Sequence, residues 1–224
     1  MTDPNLTELV LRRIRDKLGD PGTWKSPTGY PDSLALCIID SIQSLGVRYS
    51  SVEHVLQRYR AARLGAADTD GPAELLGTFD ERDGVDRWAR DIGNNNRTST
   101  QLGAPLKASA IREAASFLEG AGVATPVALR ALGPEQLAAV KARWLRVPGQ
   151  RSGISWRYFL MLAGVPGVKA DRMICRFVQN ASGQAKPVIA PGAAGQAVEA
   201  AARRLDVSAT TLDHAMWRWQ SRRS

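Results

Sequence analysis

The stretch that decides the fold runs from Pro134 to Val178: PEQLAAVKARWLRVPGQRSGISWRYFLMLAGVPGVKADRMICRFV. A proline suits the first turn of a helix, where its missing N–H has no partner to lose, so Pro134 to Trp144 reads as a helix. Leu145 to Gly153 reads as a loop built on Pro148-Gly149, and Ile154 to Ala163 as the next helix. Gly164 to Ala170 is a second loop, and Asp171 caps a helix running to Val178. A tight Pro-Gly turn feeding a helix N-terminus exposes backbone N–H groups. Backed by the helix dipole, such amides hold a phosphate without reading base sequence.

Working outward, apolar residues keep helical spacing almost everywhere. Leu6, Leu9, Val10, Ile14 and Leu18 form one face that stops at Gly19-Asp20-Pro21-Gly22, and a polar segment with Trp24 and Tyr30 follows. Pro31-Asp32-Ser33 opens an apolar helix through Leu34, Cys37, Ile38, Ile42 and Leu45 to Gly46. A helix after Tyr49-Ser50-Ser51 sets Val52, Val55, Leu56 and Tyr59 opposite Arg58, Arg60 and Arg63. A loop over 65–72, a helical piece over 72–80 and a helix over 83–91 lead to the polar break Gly93 to Thr98. Further helices are predicted over Lys107–Leu118, from Thr125-Pro126 to Leu132, over 193–205, and from a Ser208 cap through Arg222, with residues 181–192 as linker. No stretch alternates as a strand would, and no internal repeat is visible. The fold class is all-α.

At 224 residues with 44% hydrophobic content, the chain can bury a real core. Its longest apolar runs, LALCII from Leu34 and FLMLAGV from Phe159, are far shorter than the roughly 18–20 residues of a membrane span. Met1-Thr2-Asp3-Pro4 lacks a charged-then-apolar leader, which points to the cytoplasm, or to the nucleoid in a bacterium. Two cysteines, Cys37 and Cys175, sit in apolar stretches; they exclude a disulfide framework and a four-cysteine metal site. Thirty basic residues against 22 acidic ones give a net charge of +8 and favour a polyanionic partner. Only six of the basic residues are lysines, so codon bias in a GC-rich genome is the competing source of that charge.

The segment Val147-Pro148-Gly149-Gln150-Arg151-Ser152-Gly153, a helix through Leu162, the loop Gly164-Val165-Pro166 and then Lys169-Ala170-Asp171-Arg172-Met173-Ile174-Cys175-Arg176-Phe177 resemble the helix-hairpin-helix (HhH-GPD) DNA glycosylase superfamily of the endonuclease III and MutY type. Ser41-Ile42-Gln43-Ser44 is similar to that family's Ser-hydrophobic-Gln-small signature. The resemblance covers residues 33 to 180. It implies two helical lobes, one over 33–165 and the other combining 1–32 with 166–224, with a cleft between them and Asp171 at its floor. It further implies a monomer that binds double-stranded DNA and excises a flipped-out base, with no metal and no organic cofactor. Asp171 would be the catalytic carboxylate, stabilising the oxocarbenium charge that develops as the N-glycosidic bond breaks. Gln43 would plug the duplex. Pro148, Gly149, Gln150, Arg151, Ser152 and Gly153 would clamp a phosphate, with Lys169 and Arg172 as further DNA contacts.

Three departures bear on that reading. Gly153 stands where bifunctional members keep a Schiff-base lysine, so no lyase step is expected. Arg151 replaces the hairpin's usual second glycine. The four terminal cysteines of the iron–sulfur members are absent. A second register sets the hairpin at Val165-Pro166-Gly167-Val168 and removes the catalytic assignment of Asp171. The Arg151 and Gly153 departures favour a catalytically silent DNA-binding or architectural protein, and a helical protein- or RNA-binding module is a third reading.

Simpler roles also stand. Asp171 works equally as a helix cap or as an ion-pair partner of Arg172 or Arg176, and Gln43 as a helix-end polar group. Asp40 and Ser41 read as a buried polar pair or a helix-end contact, and Asn94 to Arg97 as a turn. His54 and His214 lack metal-ligand spacing. Trp217 and Trp219, among Arg218, Arg222 and Arg223, either stack on a base or pack the last helix.

Overall fold

A computed structural model describes residues 3–221 other than 184 and 186. Its helices are α1 (Pro4–Lys17), α2 (Leu34–Gln43), α3 (Tyr49–Ala62), α4 (Pro72–Asp80), α5 (Val85–Asp91), α6 (Lys107–Gly120), α7 (Pro126–Arg130), α8 (Pro134–Trp144), α9 (Ile154–Leu162), α10 (Arg172–Ser182), α11 (Pro191–Arg204) and α12 (Ala209–Ser221). The one β contact among the described residues is an isolated bridge between Arg97 and Leu106, so the protein is all-α. The predicted loop over 65–72 holds a 3₁₀ turn, Ala66–Thr69. The predicted end of α10 at Val178 is corrected to Ser182, where Gly183 closes the helix at φ +66°. Arg222 and Arg223 lie outside the described residues.

The chain divides into two compact units, one formed by Met1–Pro27 with Pro166–Ser224 and the other by Thr28–Val165. In the second, every residue of α2 is buried, as its nearly all-apolar sequence requires, and α3, α4, α6 and α9 surround it. Both ends of this sunken helix are satisfied from far along the chain. Ser33 accepts from the Leu36 N–H and donates to the carbonyls of Ala67 and Asp70. The Lys107 ammonium, 3% exposed, donates to the carbonyls of Gln43 (2.7 Å) and Leu45 (2.6 Å), a cation placed on the helix's negative end. Lys107→Met removes that donor and strands two sheltered carbonyls. It is expected to lower the unfolding free energy by about 2–3 kcal/mol, read from the urea midpoint.

Midway along α2 the Asp40 carboxylate accepts from the phenols of Tyr30 (2.9 Å) and Tyr49 (3.0 Å). Burial, and after it the charge of Asp40, pushes the hydroxyls of Tyr30, Tyr49 and Tyr158 well above their ordinary range. Asp40 is therefore a buried polar residue, but its partners are tyrosines rather than Ser41, whose hydroxyl donates to the Ile38 carbonyl.

In the other unit, α11 lays Ala194, Ala197, Ala201 and Ala202 in a core with Leu6, Val10, Leu11 and Ile14 of α1. Small side chains let these two helices approach closely. α10 adds Ile174, Phe177 and Val178, while Arg172, Arg176 and Asn180 face solvent. Phe177 meets Trp219 of α12 edge-on at 5.6 Å, and the Arg13 guanidinium lies over both rings.

Candidate functional site

The hairpin between α8 and α9 is anchored by aromatic packing. Trp144, fully buried at the end of α8, stacks on Phe159 at 4.5 Å and donates its indole N–H to Ser155 Oγ at 3.0 Å. Val147 is buried, and Gly153 (φ +75°) turns the chain into α9. Gly149 also has positive φ, +79°, and a Cβ there would sit 2.8 Å from both Cβ and the carbonyl oxygen of Thr98. The glycine is therefore required twice, by its dihedral and by the close approach of the 94–106 loop.

Within this turn the predicted DNA contacts separate into two groups. Gly149, Arg151 and Ser152 are exposed, and Pro148 and Gly153 half-exposed. Gln150 is 1% exposed: its amide N–H donates to the Val147 carbonyl and its side chain folds back onto the Pro148 carbonyl at 2.9 Å. It braces the loop and offers no surface to a ligand. Gln43 has no exposed surface either; its side-chain oxygen accepts from Asn94 at 3.2 Å. A duplex-plugging role would require the end of α2 to open. Arg146, exposed at the base of the hairpin, also lines a cavity of about 740 Å³ with Arg112, Arg143, Asp80, Glu113 and Phe117. Arg112, Arg143 and Arg146 make no ion pair among the described residues.

The second Pro-Gly loop is already occupied. The Gly167 N–H donates to Thr210 Oγ1 (3.1 Å) and the Lys169 N–H to Asp213 Oδ1 (2.9 Å), both on α12. Of the turn proposed in the second register, 165–168, the Gly167 amide is thus held internally. Lys169 is half-exposed and Arg172 exposed in the same unit as Asp171, whereas the hairpin and Gln43 belong to the other.

Asp171 is the N-cap of α10: its Oδ1 accepts from the N–H groups of Met173 (2.8 Å) and Ile174 (3.2 Å). The alternative ion pairs to Arg172 or Arg176 do not form. Asp213 is the functional candidate that the sequence reading missed. Its carboxyl, 8% exposed, is pushed up to about 8, first by burial and then by the charge of Asp171, against the opposing Lys169 hydrogen bond and charge. Asp213 is thus a buried acid whose pKa is raised in part by the charge of Asp171, the kind of perturbation that marks a functional-site candidate. The signal was present: Leu212, Asp213, Met216 and Gln220 share the buried stripe of α12, and an acid on such a stripe needs an explanation.

Among the described residues, no three His, Cys, Asp or Glu side chains come together as a metal site, and no helix is long and apolar enough to cross a membrane. The chain belongs to the family described as a domain of unknown function (DUF8548), matched over residues 8–221. No curated protein and no solved structure matches it.

Proposed function

We propose that this DUF8548 protein binds double-stranded DNA by its backbone through the Leu145–Gly153 hairpin, and that it is a monofunctional DNA N-glycosylase with Asp171 as catalytic carboxylate. The observation that carries the reading is the hairpin itself. A rigid turn presents Gly149, Arg151 and Ser152 outward, and the cations Arg146, Arg143 and Arg112 continue from its base. Exposed amides and guanidiniums recognise phosphates without a base sequence, which suits a protein that must scan a duplex. In this reading the carboxylate of Asp171 would stabilise the sugar cation, and because Gly153 supplies no amine, water would complete the reaction.

A second reading, a silent DNA binder on the same scaffold, is favoured by one observation. Both amide bonds accepted by Asp171 lie within its own helix and account for an aspartate at that position unaided.

The test is duplex binding across salt, followed by incubation with duplexes carrying single damaged or mismatched bases and scoring for abasic sites. Four arginine contacts (Arg112, Arg143, Arg146, Arg151) are expected to lower affinity about a hundredfold between 50 and 200 mM salt. Arg151→Ala is expected to reduce the logarithmic slope by about one. A dissociation constant indifferent to salt would exclude both DNA readings. Salt-dependent binding without abasic products on any duplex would leave the silent binder.

A further inference from the structure

A second cavity, of about 240 Å³, lies wholly within the unit that carries α1 and α12. Its walls come from the end of α1, the segment after it and α12: Lys17, Trp24, Lys25, His214, Arg218 and Trp219. Among the described residues, no acidic side chain lines it. Its volume falls below the roughly 300–1,000 Å³ of pockets that enclose a drug-sized ligand whole, so it suits one flat ring and the charged group attached to it.

The two indoles are set in place by specific contacts and stay half-exposed. Trp24 donates its N–H to the Leu18 carbonyl at 2.9 Å, which fixes the ring plane. Trp219 is held edge-on against Phe177 with Arg13 above. His214 stacks on Trp217 with centroids 5.9 Å apart. Burial, and then the neighbouring Arg218, lowers the His214 pKa, so near neutral pH the imidazole offers one donor and one acceptor rather than a third-wall cation. Aromatic walls already held in place bind a planar π-system with little loss of side-chain freedom, and three permanent cations beside them select a phosphorylated one.

We infer that this pocket binds a nucleoside phosphate, presented either as a free nucleoside monophosphate or as the terminal nucleotide of a single strand. The ring lies against Trp24 and Trp219, and the phosphate meets Lys17, Lys25 and Arg218. The site is independent of the hairpin, so it stands whether or not the duplex reading does.

The experiment titrates the full chain with adenosine monophosphate, adenosine and inorganic phosphate, read by calorimetry and by tryptophan fluorescence. Adenosine monophosphate is expected to bind and quench, with adenosine and phosphate each at least about tenfold weaker. The doubly substituted Lys25→Gln/Arg218→Gln chain changes only exposed side chains. It is expected to weaken adenosine monophosphate at least about tenfold with an unchanged thermal midpoint. Competition by a 5′-phosphorylated single strand, but not by the same strand circularised, assigns the terminal nucleotide; no competition by either assigns the free nucleotide. No heat and no quench with adenosine monophosphate, or equal binding by the double variant, overturns the site.

Discussion

Asp213→Asn is expected to stabilise the protein, and by more as the pH rises. The Asp213 carboxyl moves from its ordinary 3.8 to about 8 on folding, because burial and the charge of Asp171 both oppose its ionisation. A raised acid binds its proton in the folded state at pH values where the unfolded chain has released it. Stability from this group therefore falls steadily from about pH 4 to about pH 8 and is flat above the folded value. Asparagine does not titrate, is nearly isosteric, and keeps an oxygen for the Lys169 N–H. Its advantage over the parent is expected to grow by about 3–4 kcal/mol between pH 5 and pH 8. That corresponds to a gap in thermal midpoint widening by roughly 6–16 °C. Melting curves of both proteins at half-unit pH steps give the result directly. Parallel curves for parent and variant would mean that Asp213 is ionised in the folded protein.

That pair also marks where reading the chain residue by residue stops. The helices were legible because their evidence is local. Apolar spacing, Ser33, Thr125 and Asp171 at N-terminal caps, and proline at 134 act within four residues of where they stand, and each was found in its place. What stayed hidden is held by long-range contact. Lys107 reads as an ordinary helix-start lysine until its ammonium is seen 64 residues back on the Gln43 carbonyl. Gln150 reads as part of an exposed turn, yet its side chain is closed onto Pro148. The two Pro-Gly loops are nearly interchangeable as strings of residues. They differ because α12, some 43 residues on, places Thr210 against Gly167 and Asp213 against Lys169. In the second loop the Gly167 and Lys169 amides are bonded to α12, whereas in the first Gly149, Arg151 and Ser152 stand exposed.

On the glycosylase proposal, Asp171→Asn is expected to lower base release on the order of a thousandfold, with duplex affinity and fold retained. The substitution is selective for a physical reason. Asparagine caps helices as well as aspartate does, so its side-chain oxygen continues to accept from Met173 and Ile174 and α10 stays intact. Only the negative charge is removed, and an oxocarbenium ion responds to that charge. The same charge is one of the causes holding Asp213 high, so Asp171→Asn must also bring the Asp213 midpoint below about 8, shifting the pH–stability curve toward acid whether or not any base is excised. The two readouts separate the questions. Loss of release together with the acid shift identifies the charge at 171 as the catalytic group of a correctly described site. The acid shift without any release in the parent identifies a cap and a silent binder. Release that survives the substitution while the shift appears removes Asp171 from the chemistry and sends the search to another carboxyl, with Asp213 the first to test.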